Sequence, residues 1–197
     1  MRARARDLVE TAWGIAGSGV PFLWVVRPGL VAADGLTWLP DGFEEATHGR
    51  GMVVEWAPQE EVLAHGAVGC FVTHCGWNST LEAVAAGLPV VTWPHFTDQF
   101  LNEKMAVEVL GIGVSGGVKE PVMYRMDQKD VVVGSETVEA AVRSAMDGGE
   151  DGEERRCKAR ALAVKAWAAM REGGSSHANI CDLAKCFEVG ATQGTDE

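Results

Sequence analysis

No uninterrupted apolar stretch in this chain approaches the roughly 18 residues that a membrane-spanning helix needs, so no transmembrane span is expected. The opening MRARARDLVE carries arginines but leads into no apolar run of the signal-peptide kind, and no secretory leader is expected either. Basic charge is scarce. Against 28 Asp and Glu stand 17 Lys and Arg, a formal net charge of −11, and no basic stripe offers itself to nucleic acid or to an anionic membrane. A cytoplasmic protein fits these absences. The cysteines Cys70, Cys75, Cys157, Cys181 and Cys186 form no CxxC pair and read as reduced, buried thiols. Zinc spacing is missing as well: Cys75 beside His74 has no partners, and Cys181 and Cys186 share a helix face poorly, so no metal ligand is assigned. Internal repeats are lacking too.

What is present points to one layered domain. With 197 residues, 47% of them apolar, the chain is long enough for a real core but short for a two-domain catalyst. Short β-rich apolar runs occur at Phe22 to Arg27, Gly51 to Trp56, Val68 to Thr73 and Leu88 to Trp93, with a fifth at Gly111 to Ser115. Helical segments alternate with them: Asp7 to Ala16, Glu60 to Ala64, Asn78 to Ala86 and Gln99 to Leu110. Strands apolar on both faces, interleaved with helices, predict a doubly wound α/β fold around a parallel sheet.

After Gly117 the chain turns polar and irregular through Pro121, Tyr124 and Asp130, and then reads as helices alone. In the first of these, Val138, Ala141, Val142, Ala145 and Met146 recur with helical spacing, Ser135 is the expected N-cap and Gly148-Gly149 the stop. The GGEDGEE stretch reads as a solvated turn. Further helices are expected from about Glu153 to Glu172, and from a Ser175-Ser176 cap to Val189. The organisation is thus one domain over 1–189, followed by a disordered tail over 190–197.

The chemistry is concentrated at strand ends, where open α/β sheets hold their ligands. His74-Cys-Gly-Trp-Asn-Ser79 follows one strand and opens a helix. Gly76 allows close backbone approach, and Asn78 and Ser79 add donors to the unsatisfied amides of the helix start, so the segment suits an anion. Taken alone, Asn78 and Ser79 would sooner read as a simple helix cap. Trp56, at another strand end before Ala57-Pro58-Gln59, offers a flat face for a base, whose edge the Ala57 backbone can reach. Glu82, one turn after Asn78, faces the same side and can accept the hydrogens of a ribose diol. Asp98-Gln99, at a third strand-to-helix junction, suits sugar hydroxyls.

The segment WAPQEEVLAHGAVGCFVTHCGWNSTLEAVAAGLPVVTWPHFTDQ, Trp56 to Gln99, resembles the signature box of the plant UDP-dependent glycosyltransferases (family 1) that modify secondary metabolites and hormones. GVPFLWVVRP, LPDGFEEATHGRG, NEKMAVEVLGIGV, ETVEAAV and EGGSSHANICDL extend the likeness over nearly the whole chain. The resemblance implies the Rossmann-like C-terminal domain of a two-domain GT-B enzyme. It implies that Trp56 stacks on uracil, the Ala57 backbone reads the uracil edge and Gln59 lies near the ribose, whose hydroxyls Glu82 binds. His74, Asn78 and Ser79, with the amides after Gly76, would hold the diphosphate, and Trp77, Asp98 and Gln99 the hexose. In this family Gln at the position of Gln99 is associated with glucose donors. UDP-glucose is therefore the implied donor, with no cofactor required.

The same resemblance places the acceptor pocket and the catalytic His, supported by an Asp, in an N-terminal domain that this chain does not match. It also implies a strand and a Gly-Ser loop before the helix at Arg2 to Ala16. No His here inherits the base role. His74 and His95 belong to the donor box, His65 to a short helix, and His48 and His177 to loops. The expected function is inverting transfer of glucose to a hydroxyl of a small secondary metabolite such as a flavonoid, terpenoid or hormone. This chain would supply the donor-binding half, inactive alone, and would meet the acceptor only with the other domain. The alternative is a non-catalytic remnant that binds UDP-sugar or pairs with a partner chain.

Overall fold

The computed structural model describes residues 5–27, 39–121 and 133–192. The expected irregular connection through Tyr124 and Asp130 lies outside them. The chain runs α1 (Ala5–Ser18), β1 (Phe22–Val25), α2 (Phe43–Ala46), β2 (Gly51–Val54), α3 (Gln59–Leu63), β3 (Phe71–Thr73), α4 (Trp77–Ala86) and β4 (Val90–Thr92). Next come α5 (Gln99–Lys104), which continues as a π turn over Met105–Val109, then β5 (Gly113–Ser115), α6 (Ser135–Ala145), α7 (Glu150–Met170) and α8 (Ser175–Thr192). Every expected strand is present and parallel to its neighbour, each shorter than its apolar run.

Hydrogen bonding divides the strands into two groups, β1–β2 and β3–β4–β5, where the sequence predicts one continuous sheet. Within the larger group Phe71, Val90 and Gly113 lie in register, as do Thr73, Thr92 and Ser115. The central strand β4 shows why its run is apolar throughout. Val90 packs with Ala83 of α4, Ala106 of the π turn, Ile112 and Ala159 of α7, while Val91, on the opposite face, packs with Ala141 and Ala145 of α6. Helices therefore cover both faces of the β3–β4–β5 sheet, as a buried parallel sheet requires.

The pairing of α1 with α6 is held at both ends. Glu10 Oε2 accepts from the backbone N–H of Ser135 at 2.7 Å, and Arg143 Nη2 donates to the Gly17 carbonyl at 2.6 Å. A carboxylate thus meets the positive end of α6, and a guanidinium meets the negative end of α1. Between them the helices approach closely, because a Cβ on Gly14 would run into the Val138 side chain. Ser135 is therefore the first residue of α6 rather than its cap; Gly134 occupies that place. Of the periodic positions in this helix, Val138, Ala141 and Ala145 are buried, whereas Met146 is exposed.

Three expectations at the C-terminal end change. The GGEDGEE stretch is a turn only up to Gly149, the N-cap of α7. Glu150, Asp151 and Glu153 load the first turn with the charge the helix dipole favours, and Gly152 is buried against the Asp147 carbonyl. The last helix continues past the expected tail boundary at 190, to Thr192, while 193–197 lie outside the described residues. It also contains His177, expected in a loop. Of the five cysteines Cys75 is buried, Cys70 and Cys181 are partly buried, and Cys157 and Cys186 are exposed. No helix among the described residues is long and apolar enough to cross a membrane.

Candidate functional site

Trp56 follows β2 and is 68% exposed, so its indole is a surface plate and not a core side chain. Three residues later Gln59 opens α3 and reaches across to α4. Its Nε2 donates to Ser79 Oγ at 3.1 Å and to Glu82 Oε2 in a short hydrogen bond. Gln59, Ser79 and Glu82, three of the residues expected to touch ribose and phosphate, thus form one hydrogen-bonded cluster. Glu82 points its carboxylate into this cluster from the second turn of α4, on the same side as Ser79.

The start of α4 is built for close approach. Its N-cap, Gly76, makes no side-chain capping bond, and helix geometry leaves the first backbone N–H groups without intrahelical partners. A Cβ on Gly76 would collide with Nε2 of His74, so the glycine lets the imidazole fold over the helix start. The peptide between them is unusual: Cys75 has φ 62°, a left-handed conformation in a residue other than glycine. It is held from three directions. The Cys75 N–H donates to Thr73 Oγ1 at 3.2 Å, its thiol to the Thr73 carbonyl at 3.5 Å, and its carbonyl accepts from Asn102 Nδ2 at 2.9 Å. Burial pushes the Cys75 thiol up to about 12, which removes it as a nucleophile or thiolate ligand.

Asn102 makes a second bond, to Asp98 Oδ2 at 3.0 Å, and so links the loop after β3 to the loop after β4. Asp98 also accepts from Thr97 Oγ1 at 2.9 Å and remains exposed. Gln99 is buried and turned inward: its Oε1 accepts from the backbone N–H groups of His95 at 2.8 Å and Phe96 at 3.2 Å. Its carbonyl oxygen holds the loop, which leaves the amide nitrogen for any ligand. Trp77 and Asn78, on the first turn of α4, are exposed.

The rings of His74 and His95 stack with centroids 6.5 Å apart and planes at 23°. Both are held below the usual imidazole range. For His74 the first cause is burial, reinforced by Arg27 and opposed by Asp98; for His95 it is burial, then the charge of His74, opposed by Asp7. Both rings are therefore neutral near neutral pH.

The structure brings together Gln59, Ser79 and Glu82, and sets His74 over the α4 start. Asp98 and Gln99 stand at the neighbouring strand end, tied in through Asn102. Sequence reasoning missed Asn102, Thr73 and His95. For Asn102 a signal existed, since it lies four residues after Asp98 and hence on the same helix face. For Thr73 and His95 none did, because their roles depend on a left-handed peptide and on a ring contact between two loops. Among the described residues no group of three or more His, Cys, Asp or Glu could hold a metal ion.

The chain is similar to known proteins over most of its length. Residues 3–138 match the family described as UDP-glucoronosyl and UDP-glucosyl transferase. UDP-glycosyltransferase 73E1 of Stevia rebaudiana is 46% identical over 187 residues, 93% of this chain and 37% of the relative. UDP-glycosyltransferase 73B4 of Arabidopsis thaliana is 48% identical over 178 residues, 88% of this chain and 36% of the relative. The chain thus spans little more than a third of the length of the curated relatives it matches. Among solved structures, Os79 from O. sativa in complex with U2F and trichothecene superposes with a TM-score of 0.80 at 38% identity, covering 95% of this chain and 39% of that one. Phytolacca americana UGT2, complexed with UDP-2fluoro-glucose and pterostilbene, gives 0.79 at 33% identity, covering 94% and 39%.

Proposed function

The chain belongs to the UDP-glucoronosyl and UDP-glucosyl transferase family, and from that premise we propose that residues 1–189 are the UDP-sugar-binding domain of a plant UDP-glucose-dependent glycosyltransferase. Its fold is the Rossmann-like domain of a GT-B enzyme. The observation that carries the reading is the Gln59–Ser79–Glu82 cluster, set beside exposed Trp56 and beside the α4 start under His74. A uracil stacks on Trp56, the ribose diol bonds Glu82, and the diphosphate sits at the first amides of α4 with His74, Asn78 and Ser79. The hexose lies towards Trp77, Asp98 and Gln99. The oriented amides stabilise the negative charge that grows on the leaving UDP.

The acceptor hydroxyl, deprotonated by a base from outside this chain, attacks the anomeric carbon as UDP departs, with inversion. The donor is UDP-glucose, and the acceptor is a small hydroxylated secondary metabolite. Alone, these residues bind donor without turning it over, because none of the described residues is assigned to deprotonate an acceptor.

The strand order supports a further element of the same reading. In a doubly wound sheet the first strand lies between the second and the fourth. If β1 to β5 are the second to sixth strands of such a sheet, its first strand falls between β1 and β3, where hydrogen bonding breaks in this chain.

Isothermal titration of the chain with UDP and UDP-glucose tests the reading. Binding that Trp56→Ala and Glu82→Ala each weaken supports it, and a folded chain that binds neither ligand refutes it. A second reading, a partner-pairing module, rests on the exposed Val164, Trp167 and Met170 of α7 and Ile180, Leu183 and Phe187 of α8. A monodisperse monomer by light scattering would count against it.

A further inference from the structure

His74 and His95 leave different strands, β3 and β4, yet their rings lie near parallel, with centroids 6.5 Å apart and planes at 23°. Each is fixed at its base. The His95 backbone donates to Gln99 Oε1, and His74 follows Thr73, whose hydroxyl and carbonyl hold Cys75. The His74 side chain then crosses Gly76, with Nε2 over the α4 N-cap. No side chain caps that helix, so the imidazole edge and the free amides converge on one spot. His95 stands beside His74 in this arrangement, its ring stacked near parallel to it.

The charged groups around the pair are Arg27 at the end of β1 and Asp98 before α5, which act on His74, and Asp7 of α1, which acts on His95. With no anion present, burial keeps both rings neutral, and a proton on His74 would keep one off His95. A diphosphate at the α4 start would add negative charge on the open side of His74 alone. We propose that His95 is a positioning residue that holds His74 by ring stacking, and that seating the donor's diphosphate over the α4 N-terminus draws one proton from solvent onto His74. The proposal rests on the donor-site reading above. The proton comes from the buffer, resides on an imidazole nitrogen and returns to solvent on release; no covalent bond changes.

The test is calorimetric titration of the full chain with UDP-glucose, whose diphosphate diester does not itself titrate near neutral pH. Repeating it in buffers of different ionisation enthalpy counts the protons taken up. The expected result is an uptake approaching one proton, with affinity falling about tenfold per pH unit between the free and bound titrations of His74. His74→Gln abolishes the uptake while leaving weaker binding. His95→Ala loses the stack and weakens binding by about threefold to tenfold, whereas His95→Phe, which stacks without titrating, restores both affinity and uptake. Binding with no proton exchange, or His95→Phe no better than His95→Ala, overturns the proposal and leaves the donor site standing. Absence of UDP-glucose binding by the folded chain would instead remove the donor site itself. Should His95→Ala fail to fold, the proton counts of the wild-type chain and of His95→Phe still decide.

Discussion

Asn102 donates from Nδ2 to the carbonyl oxygen of Cys75 at 2.9 Å, and this bond fastens α5 to the one residue between β3 and α4 that adopts a left-handed conformation. A non-glycine residue in that region costs about 1–3 kcal/mol and persists only where its surroundings hold it. Thr73 and Asn102 are those surroundings, and through Asp98 the same side chain reaches the residue expected to meet the sugar.

Replacing Asn102 by Ala leaves the buried Cys75 carbonyl without its partner, an expected loss of about 1–3 kcal/mol in stability. The midpoint of urea unfolding would register it. UDP affinity should fall as well, since the loop before Gly76 then relaxes. An Asn102→Ala chain with unchanged midpoint and unchanged affinity would mean that the bond is incidental.

Trp56→Ala should separate binding from stability. The indole is 68% exposed, so its removal takes little from the core. Base stacking on an aromatic face contributes about 1–3 kcal/mol, so UDP binding is expected to weaken by about fivefold to 150-fold. A large fall in thermal midpoint would place the ring in the packing instead.

Gly76→Ala puts a methyl group where Nε2 of His74 now lies. Because that nitrogen is the far end of a side chain that can rotate, the fold should survive while the ring is displaced. Losing one hydrogen bond to a charged ligand costs about 1.5–3 kcal/mol, so UDP should bind at least about tenfold more weakly at a nearly unchanged thermal midpoint. Equal affinity in the variant would remove His74 from the ligand.

Much of this arrangement was legible from residue patterns, for identifiable reasons. Strands β3 and β4 and helix α4 follow from apolar runs that end at Thr73 and Trp93 and from the glycine that opens the helix; these are local signals. Glu82 was expected near a ribose from its helix face and Gln59 from the family likeness, and the structure adds that the two bond each other. The break between β1 and β3 was not legible, because strand pairing is set by contacts remote in sequence. Nor was the start of α7 at Glu150. Gly149 and Gly152 suggest a turn, but Glu150, Asp151 and Glu153 suit the start of a helix, and Gly152 packs closely against the Asp147 carbonyl there.

The break itself is open to test. Extending the chain at its N-terminus by a β-rich segment and a Gly-Ser loop should let a strand pair with β1 and β3 at once. For a chain of this size each 1 kcal/mol gained raises Tm by about 2–4 °C, and a rise of about 5 °C or more is expected. Amide hydrogen exchange should slow at Phe22–Val25 and Phe71–Thr73 together. Protection of β2 or β5 in their place would put the added strand at an outer edge and reject the proposed order.

The stacked imidazoles also make a pH prediction for the unliganded chain. Folding holds His74 and His95 below the usual imidazole range, chiefly by burial, so the unfolded chain binds protons at a higher pH than the folded one. Stability from this source is therefore fully present above the unfolded value of about 6.5 and is lost as pH falls from there through the lowered folded values. The many carboxylates of the chain add their own acid response, so the informative quantity is a difference. Between about pH 7.5 and pH 5.5 the wild-type chain should lose more stability than His95→Phe, which keeps the stack and lacks one titrating ring. Saturating UDP-glucose should not narrow that difference, because a protonated His74 is common to both chains and in the wild type its charge keeps a proton off His95. Parallel urea midpoints of the two chains across this range, with and without the ligand, measure both effects. If the two midpoints fall in parallel on acidification, His95 titrates alike folded and unfolded, and burial is not what keeps its ring neutral.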